Sequence, residues 1–157
     1  MKNIIIYSSS HHENTKKIAQ KIAEVIKADI CTVSEFKSNS FDEYDMIGFG
    51  SGIYYGKFSK DITELINKMT LQNKKIFLFS TSGSGGIKYN NSVQLLLEEK
   101  GNSIIGSYTC KGYNTYGPFK LIGGLNKNHP DETDLKDVED FALHLDINLS
   151  KQRHFFL

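Results

Sequence analysis

Between Tyr7 and Lys16 the chain sets Ser8, Ser9, Ser10, Asn14 and Thr15 around His11, His12 and Glu13. Five hydroxyl or amide side chains in one eight-residue connection are more than one helix cap uses. Anion binding is the chemistry such a stretch supports. A helix N-terminus presents N–H groups without intrahelical acceptors and a partial positive charge, so a phosphate can rest there without a cationic side chain. The stretch is not a P-loop, because no Gly-Lys-Ser/Thr closes it, and it lacks the glycines of a dinucleotide fingerprint. The only arginine is Arg153, so bidentate guanidinium recognition is nearly unavailable and a phosphate falls to amides and hydroxyls. Ser9, Ser10, His11, His12, Asn14 and Thr15 are the candidate phosphate ligands. No cysteine or carboxylate stands at metal-ligand spacing from the two histidines, and their imidazole N–H groups suit a neighbouring phosphate better than a metal.

Two further stretches carry unusual chemistry. Gly48 to Phe58 reads Gly-Phe-Gly-Ser-Gly-Ile-Tyr-Tyr-Gly-Lys-Phe, and Ser80 to Gly86 reads Ser-Thr-Ser-Gly-Ser-Gly-Gly. Glycine permits close backbone approach and positive φ, while Tyr54 and Tyr55 supply flat apolar faces. Taken singly, each stretch is equally a flexible turn or a loop packed on its sheet. Three of them on one edge of a sheet point instead to one ligand with a phosphate and a flat ring, and a flavin needs that combination. The candidate ring contacts are Ser51, Gly52, Ile53, Tyr54 and Tyr55, with Thr81, Ser82, Gly83, Gly85 and Gly86.

The elements that must position these loops follow from hydrophobic periodicity. Ile4 to Tyr7 is a short β-branched run ending in an aromatic residue, the pattern of a strand buried on both faces. Ile18, Ile22, Val25 and Ile26 then fall at helical spacing with lysines opposite. Further strands are expected at 29–33, at 44–49 where the run stops in glycines, at 75–80 and at 103–110. Helices are expected from Ser59 to Met69, Ser92 to Lys100 and Asp134 to Ile147, the second ended by Gly101. Strands alternating with helices predict an α/β fold, a doubly wound parallel sheet of five strands with helices on both faces. In such sheets ligands bind beyond the carboxyl ends of the strands.

Tyr7 to Thr15 resembles the phosphate loop of the flavodoxins, in which an aromatic-ended first strand precedes a Ser/Thr-rich turn closing with Gly-Asn-Thr. Glu13 replaces that glycine, and His11-His12 make the loop about one residue longer, as in flavodoxin-like families with a His-His-Gly-Asn-Thr loop. Gly52 to Phe58 is similar to the flavin-flanking loop of short flavodoxin-like proteins and of flavodoxin-type protoporphyrinogen oxidases. The resemblance covers essentially the whole chain. It implies a flavodoxin-like fold, non-covalent FMN and electron transfer with redox protein partners, no catalytic side chain being assigned. The rival it also implies is an FMN-dependent oxidoreductase acting on a small organic acceptor or a porphyrin. A phosphoryl-accepting receiver on the same fold needs acidic residues after the first and third strands, where this chain has serines and glycines.

At 157 residues one domain spanning 1–157 is expected. Nineteen basic against eighteen acidic residues give no general attraction to nucleic acid or membranes. No apolar run spans a bilayer, no signal peptide is evident, and Cys31 and Cys110 in unrelated contexts make a reducing cytoplasm the default. Cys110 reads as a buried core residue. Residues 110–131 have no clear period; Tyr113, Tyr116 and Phe119 are equally a cover for the flavin, a partner contact or the filling of an Ω-like loop. The Phe155-Phe156-Leu157 tail is expected to pack on the domain or on a second subunit.

Overall fold

Ile4, Ile5 and Ile6 are all buried, and they build the first strand of the chain. The computed structural model describes residues 1–10, 12–37, 40–113 and 121–154. His11, Tyr116, Phe119, Lys120 and the tail from Phe155 lie outside these residues. The elements are β1 (Asn3–Ser8), α1 (Asn14–Ile26), β2 (Asp29–Thr32), β3 (Met46–Tyr54), β4 (Lys57–Phe58), α2 (Lys60–Lys68), β5 (Lys75–Ser82), α3 (Asn91–Glu99), β6 (Ser103–Lys111) and α4 (Glu132–His154). A 3₁₀ turn, Ile87–Asn90, leads into α3.

Five strands form a parallel sheet in the order β2-β1-β3-β5-β6, and β4 pairs back antiparallel on the end of β3. Alternate strand residues feed two cores, as the period of two requires. Ile5, Tyr7, Phe77 and Phe79 meet α1 and α4 through Ile18, Ile22, Val138 and Leu145. Ile4, Ile6, Phe49 and Leu78 meet α2 and α3 through Ile62, Ile66, Val93 and Leu97. Helices therefore cover both faces, and successive connections leave β1 and β3 to opposite sides. That divergence opens a crevice at the carboxyl ends of these neighbouring strands.

The third strand does not stop at its glycines. It runs through Gly48, Gly50 and Gly52 to Tyr54 because the first two of these sit opposite Phe77 and Phe79 of β5. A Cβ on Gly48 would lie 2.2 Å from the Phe77 ring, and one on Gly50 would lie 2.0 Å from the Phe79 ring. The glycines are thus the space into which two phenylalanines lie, and the strand keeps its ladder. Beyond Tyr54 the chain reverses through Tyr55 and Gly56, both at positive φ, as tight hairpin turns of primed type require. On β6, Gly106 gives α4 its close approach: a Cβ there would meet Leu145 and Phe141 at 2.9 Å. The other elements fall within a few residues of their expected bounds, except that α4 continues to His154.

Candidate cofactor site

Because the five strands are parallel, the ends of β1, β3, β5 and β6 reach one edge together. They surround a cavity of about 310 Å³ whose walls include Ser10, Asn14 and Thr15 from the first connection, Gly52 to Tyr55 from β3, and Thr81, Ser82 and Gly83 from β5. Ten of the residues singled out in the sequence therefore meet in one place. Among the described residues, no carboxylate lines it.

The first connection is bent sharply into α1 by two consecutive left-handed residues, His12 at φ 61° and Glu13 at φ 53°. Such a bend is the reason glycine is the usual occupant before Asn-Thr. It delivers the first turn of α1 to the cavity. Thr15 is buried, and its hydroxyl shares a 2.9 Å hydrogen bond with that of Thr81, which ties this loop to the end of β5. Asn14 donates from Nδ2 to the Tyr113 carbonyl at 2.8 Å, while its Oδ1 is buried without a partner. Ser9 does not line the cavity, yet its hydroxyl is likewise buried and unpartnered one residue before Ser10. The His12 ring lies against that of Tyr113, with centroids 3.9 Å apart.

In the second loop the two tyrosines do different things. Tyr54 folds back over Gly52 and its hydroxyl is hydrogen-bonded to Ser10, so it crosses between loops. Tyr55, 90% exposed at the hairpin turn, displays its ring at the cavity edge. Ser51 is fully buried; it accepts from the Ser59 amide at 2.7 Å and donates to the Gly52 carbonyl, so it fixes the hairpin rather than lining the cavity.

Thr81, Ser82 and Gly83 form the third wall. Gly85, at φ 69°, donates its amide to the Ser82 hydroxyl at 2.8 Å, and Gly86 lies against Tyr89; neither lines the cavity. The base of this loop is held by a buried polar network. Asn90, with no exposed surface, accepts from the Ser80 hydroxyl at 2.6 Å and donates to the Ser107 hydroxyl and the Tyr108 carbonyl.

Gly112 and Tyr113 also line the cavity. A Cβ on Gly112 would lie 2.7 Å from Asn14 Nδ2, so only glycine lets β6 end against the first loop. The segment after them is tied back to the same edge. Tyr113 donates to the Gly123 carbonyl, and Asn126 donates to the Gly83 carbonyl at 2.7 Å. Cys110, at the foot of this wall, is buried in the core, where burial pushes its thiol up to about 12. His129, Asp131 and Asp134 lie close together, but their bonds cap α4: Asp131 and Asp134 each accept the other's amide at 2.9 Å, and Asp134 pairs with His129.

The doubly wound sheet with helices on both faces is the fold of a known family. The family model for the flavodoxin domain matches residues 4–110, and the chain belongs to that family. It is 48% identical over 144 residues to the Uncharacterized protein MJ0298 of Methanocaldococcus jannaschii, covering 90% of this chain and 96% of that protein. Among solved structures, a flavodoxin from the domain Archaea superimposes with a TM-score of 0.67 at 19% identity, over 90% of this chain and 94% of that one. Flavodoxin 2 from Bacillus cereus superimposes with a TM-score of 0.70 at 18% identity, over 94% and 99% of the two chains. Family membership implies a flavin cofactor and electron transfer. Among the described residues, no helix is long and apolar enough to cross a membrane.

Proposed function

We propose that this chain, as one domain over residues 1–157, binds FMN non-covalently at the cavity and passes electrons between redox proteins of the cytoplasm. The observation that carries the FMN assignment is the buried, unpartnered hydroxyl of Ser9 just before α1. Buried polar groups are rarely left unpaired, and those that are mark a missing partner. Ser9 can donate to a phosphate oxygen, and the first N–H groups of α1 have no intrahelical acceptor. A phosphate at this helix terminus answers both needs.

In this reading Ser9, Ser10, Asn14 and Thr15 hold the phosphate, with His11 and His12 as imidazole donors beside it. Tyr54 and Tyr55 flank the ring, and the backbone of Gly52, Ser82 and Gly83 meets its polar edge. Ser51, Gly85 and Gly86 act behind these contacts by fixing the loops. The flavin supplies the redox chemistry; the protein orients it, shields it from water and leaves one edge accessible.

A small-acceptor oxidoreductase is the second reading, supported by a groove of about 370 Å³ that shares Ile53, Ser82 and Gly83 with the cavity and extends to Tyr89 and Leu125. The carrier reading predicts that the purified protein, loaded with FMN if necessary, shows flavin absorption bands and releases FMN on denaturation. It further predicts that reduced protein is reoxidised catalytically by protein acceptors and not by quinones, and that oxidised protein is not reduced catalytically by porphyrinogens. A protein that neither carries nor takes up flavin refutes the assignment; catalytic turnover of a small acceptor selects the second reading.

A further inference from the structure

The loops that end β3, β5 and β6 at the cavity carry charge of one sign, while the first connection adds Glu13, which is paired with Lys16 at 3.1 Å. Residues 48–58 and 80–90, with the described parts of 110–130, contain Lys57, Lys88, Lys111 and Lys127 and no aspartate or glutamate, although the chain has 18 acidic residues. All four lysines are exposed, and none has a carboxylate within ion-pair distance among the described residues. Each lies next to the cavity or its adjoining groove. Lys57 pairs with Tyr54 in the hairpin, Lys88 stands over the ring of Tyr89, and Lys111 runs beside Gly85 and directly precedes Gly112. Lys127 follows Asn126, whose amide is bonded to Gly83.

Large apolar side chains stand exposed on the same loops. Tyr55 is 90%, Leu121 89%, Ile122 75% and Ile87 51% exposed. Leu121 and Ile122 are held at this edge by the bond from Tyr113 to Gly123, and Leu125 closes the groove opposite Tyr89. An apolar centre with a polar rim is the anatomy of a protein-docking face, and large exposed apolar side chains clustered around a cofactor mouth have no use in packing the fold.

From this arrangement we infer that the cofactor edge is a docking face for an acidic redox protein, one whose own electron-transfer site is apolar and ringed by carboxylates. The inference rests on the flavin reading of the cavity. Unneutralised lysines steer such a partner to the face, since complementary fields raise association rates and oppose like-charged partners. The apolar side chains then exclude water between the two redox groups. Each productive encounter moves one electron from the protein's reduced cofactor to the partner's oxidised centre.

The test uses one redox protein in two charge states: cytochrome c, which is basic, and fully succinylated cytochrome c, which is acidic. Flavin-loaded protein is reduced anaerobically, mixed with each in a stopped-flow instrument, and followed at the haem band as ferric iron gains the electron and becomes ferrous. The acidic form is expected to react at least about tenfold faster at low salt, the advantage shrinking as ionic strength rises. A Lys57→Gln/Lys88→Gln/Lys111→Gln variant should lose most of that advantage while retaining its flavin spectrum. Faster reaction with native cytochrome c, or rates to the two forms that are equal and insensitive to salt, overturns the inference. Failure of the flavin reading would be visible beforehand, as a protein with no flavin band to reduce.

Discussion

At Ser9 the hydroxyl is buried and meets no partner. An unpaired buried polar group costs about 1–3 kcal/mol, whereas a hydrogen bond to a charged group contributes about 1.5–3 kcal/mol. Ser9→Ala should therefore act with opposite signs on two quantities. Without ligand the variant should be as stable as the parent or slightly more so in urea, yet bind FMN at least about tenfold more weakly. Thr15→Val differs, because it breaks the bond to Thr81 and should lower ligand-free stability by about 0.5–1.5 kcal/mol. If Ser9→Ala lost stability and kept full affinity, the hydroxyl would not be a ligand. Cys110 illustrates the other fate of a polar group in this fold. Its thiol is raised from the ordinary 9.0 to about 12, chiefly by burial. The unfolded chain releases that proton near pH 9 and the folded chain only near pH 12, so its contribution is intact below pH 9 and is lost as pH rises toward 12. Cys110→Ala should make the alkaline limb of a Tm-against-pH profile less steep, leaving the part of the slope due to Cys31, which is raised to about 11, and to Tyr7, Tyr44 and Tyr108, which burial also raises. An unchanged limb would contradict this.

Among the elements, β3 shows best what a sequence conceals. Its glycines read as the end of a strand, because glycine is usually a break. In fact Gly48 and Gly50 are the matching half of Phe77 and Phe79, a pairing between segments about thirty residues apart that periodicity within one segment cannot reveal. Gly50→Ala should accordingly cost about 1–3 kcal/mol by overpacking, and Phe79→Leu in the same chain should return part of it. Urea melts of the single and double variants measure this, and a Gly50→Ala protein of parental stability would show that the Phe79 ring simply moves. The β1–α1 connection was legible for a physical reason, since its signal lies wholly within one stretch: an apolar strand, clustered hydroxyls and an amphipathic helix. Gly112 was not, because its value depends on contact with Asn14, about a hundred residues earlier in the chain. Asn90 was hidden likewise, because a lone polar residue near a helix start carries no signal of its own, while its partners sit on β5 and β6.

At the scale of the whole molecule, charge distribution matters more than net charge, which is only +1. On the proposed flavin reading, the exposed lysines on the loops ending β3, β5 and β6 would stabilise an anionic reduced ring relative to an acidic surround. The more negative of the bound flavin's two one-electron couples should lie above that of an acidic flavodoxin measured alongside, and the gap should narrow with salt because these lysines are exposed. Equal couples at low and high ionic strength would mean that stacking and backbone hydrogen bonds set the potential instead. The account depends most on the phosphate seat at the start of α1. Its most direct measurement is a pair of fluorescence titrations of the cofactor-free protein, one with FMN and one with riboflavin, which differ only in that phosphate. The account predicts one-to-one quenching of FMN, with riboflavin bound at least about a hundredfold more weakly, the equivalent of two charge-assisted hydrogen bonds. Equal affinity for the two flavins, or quenching of neither, would contradict it.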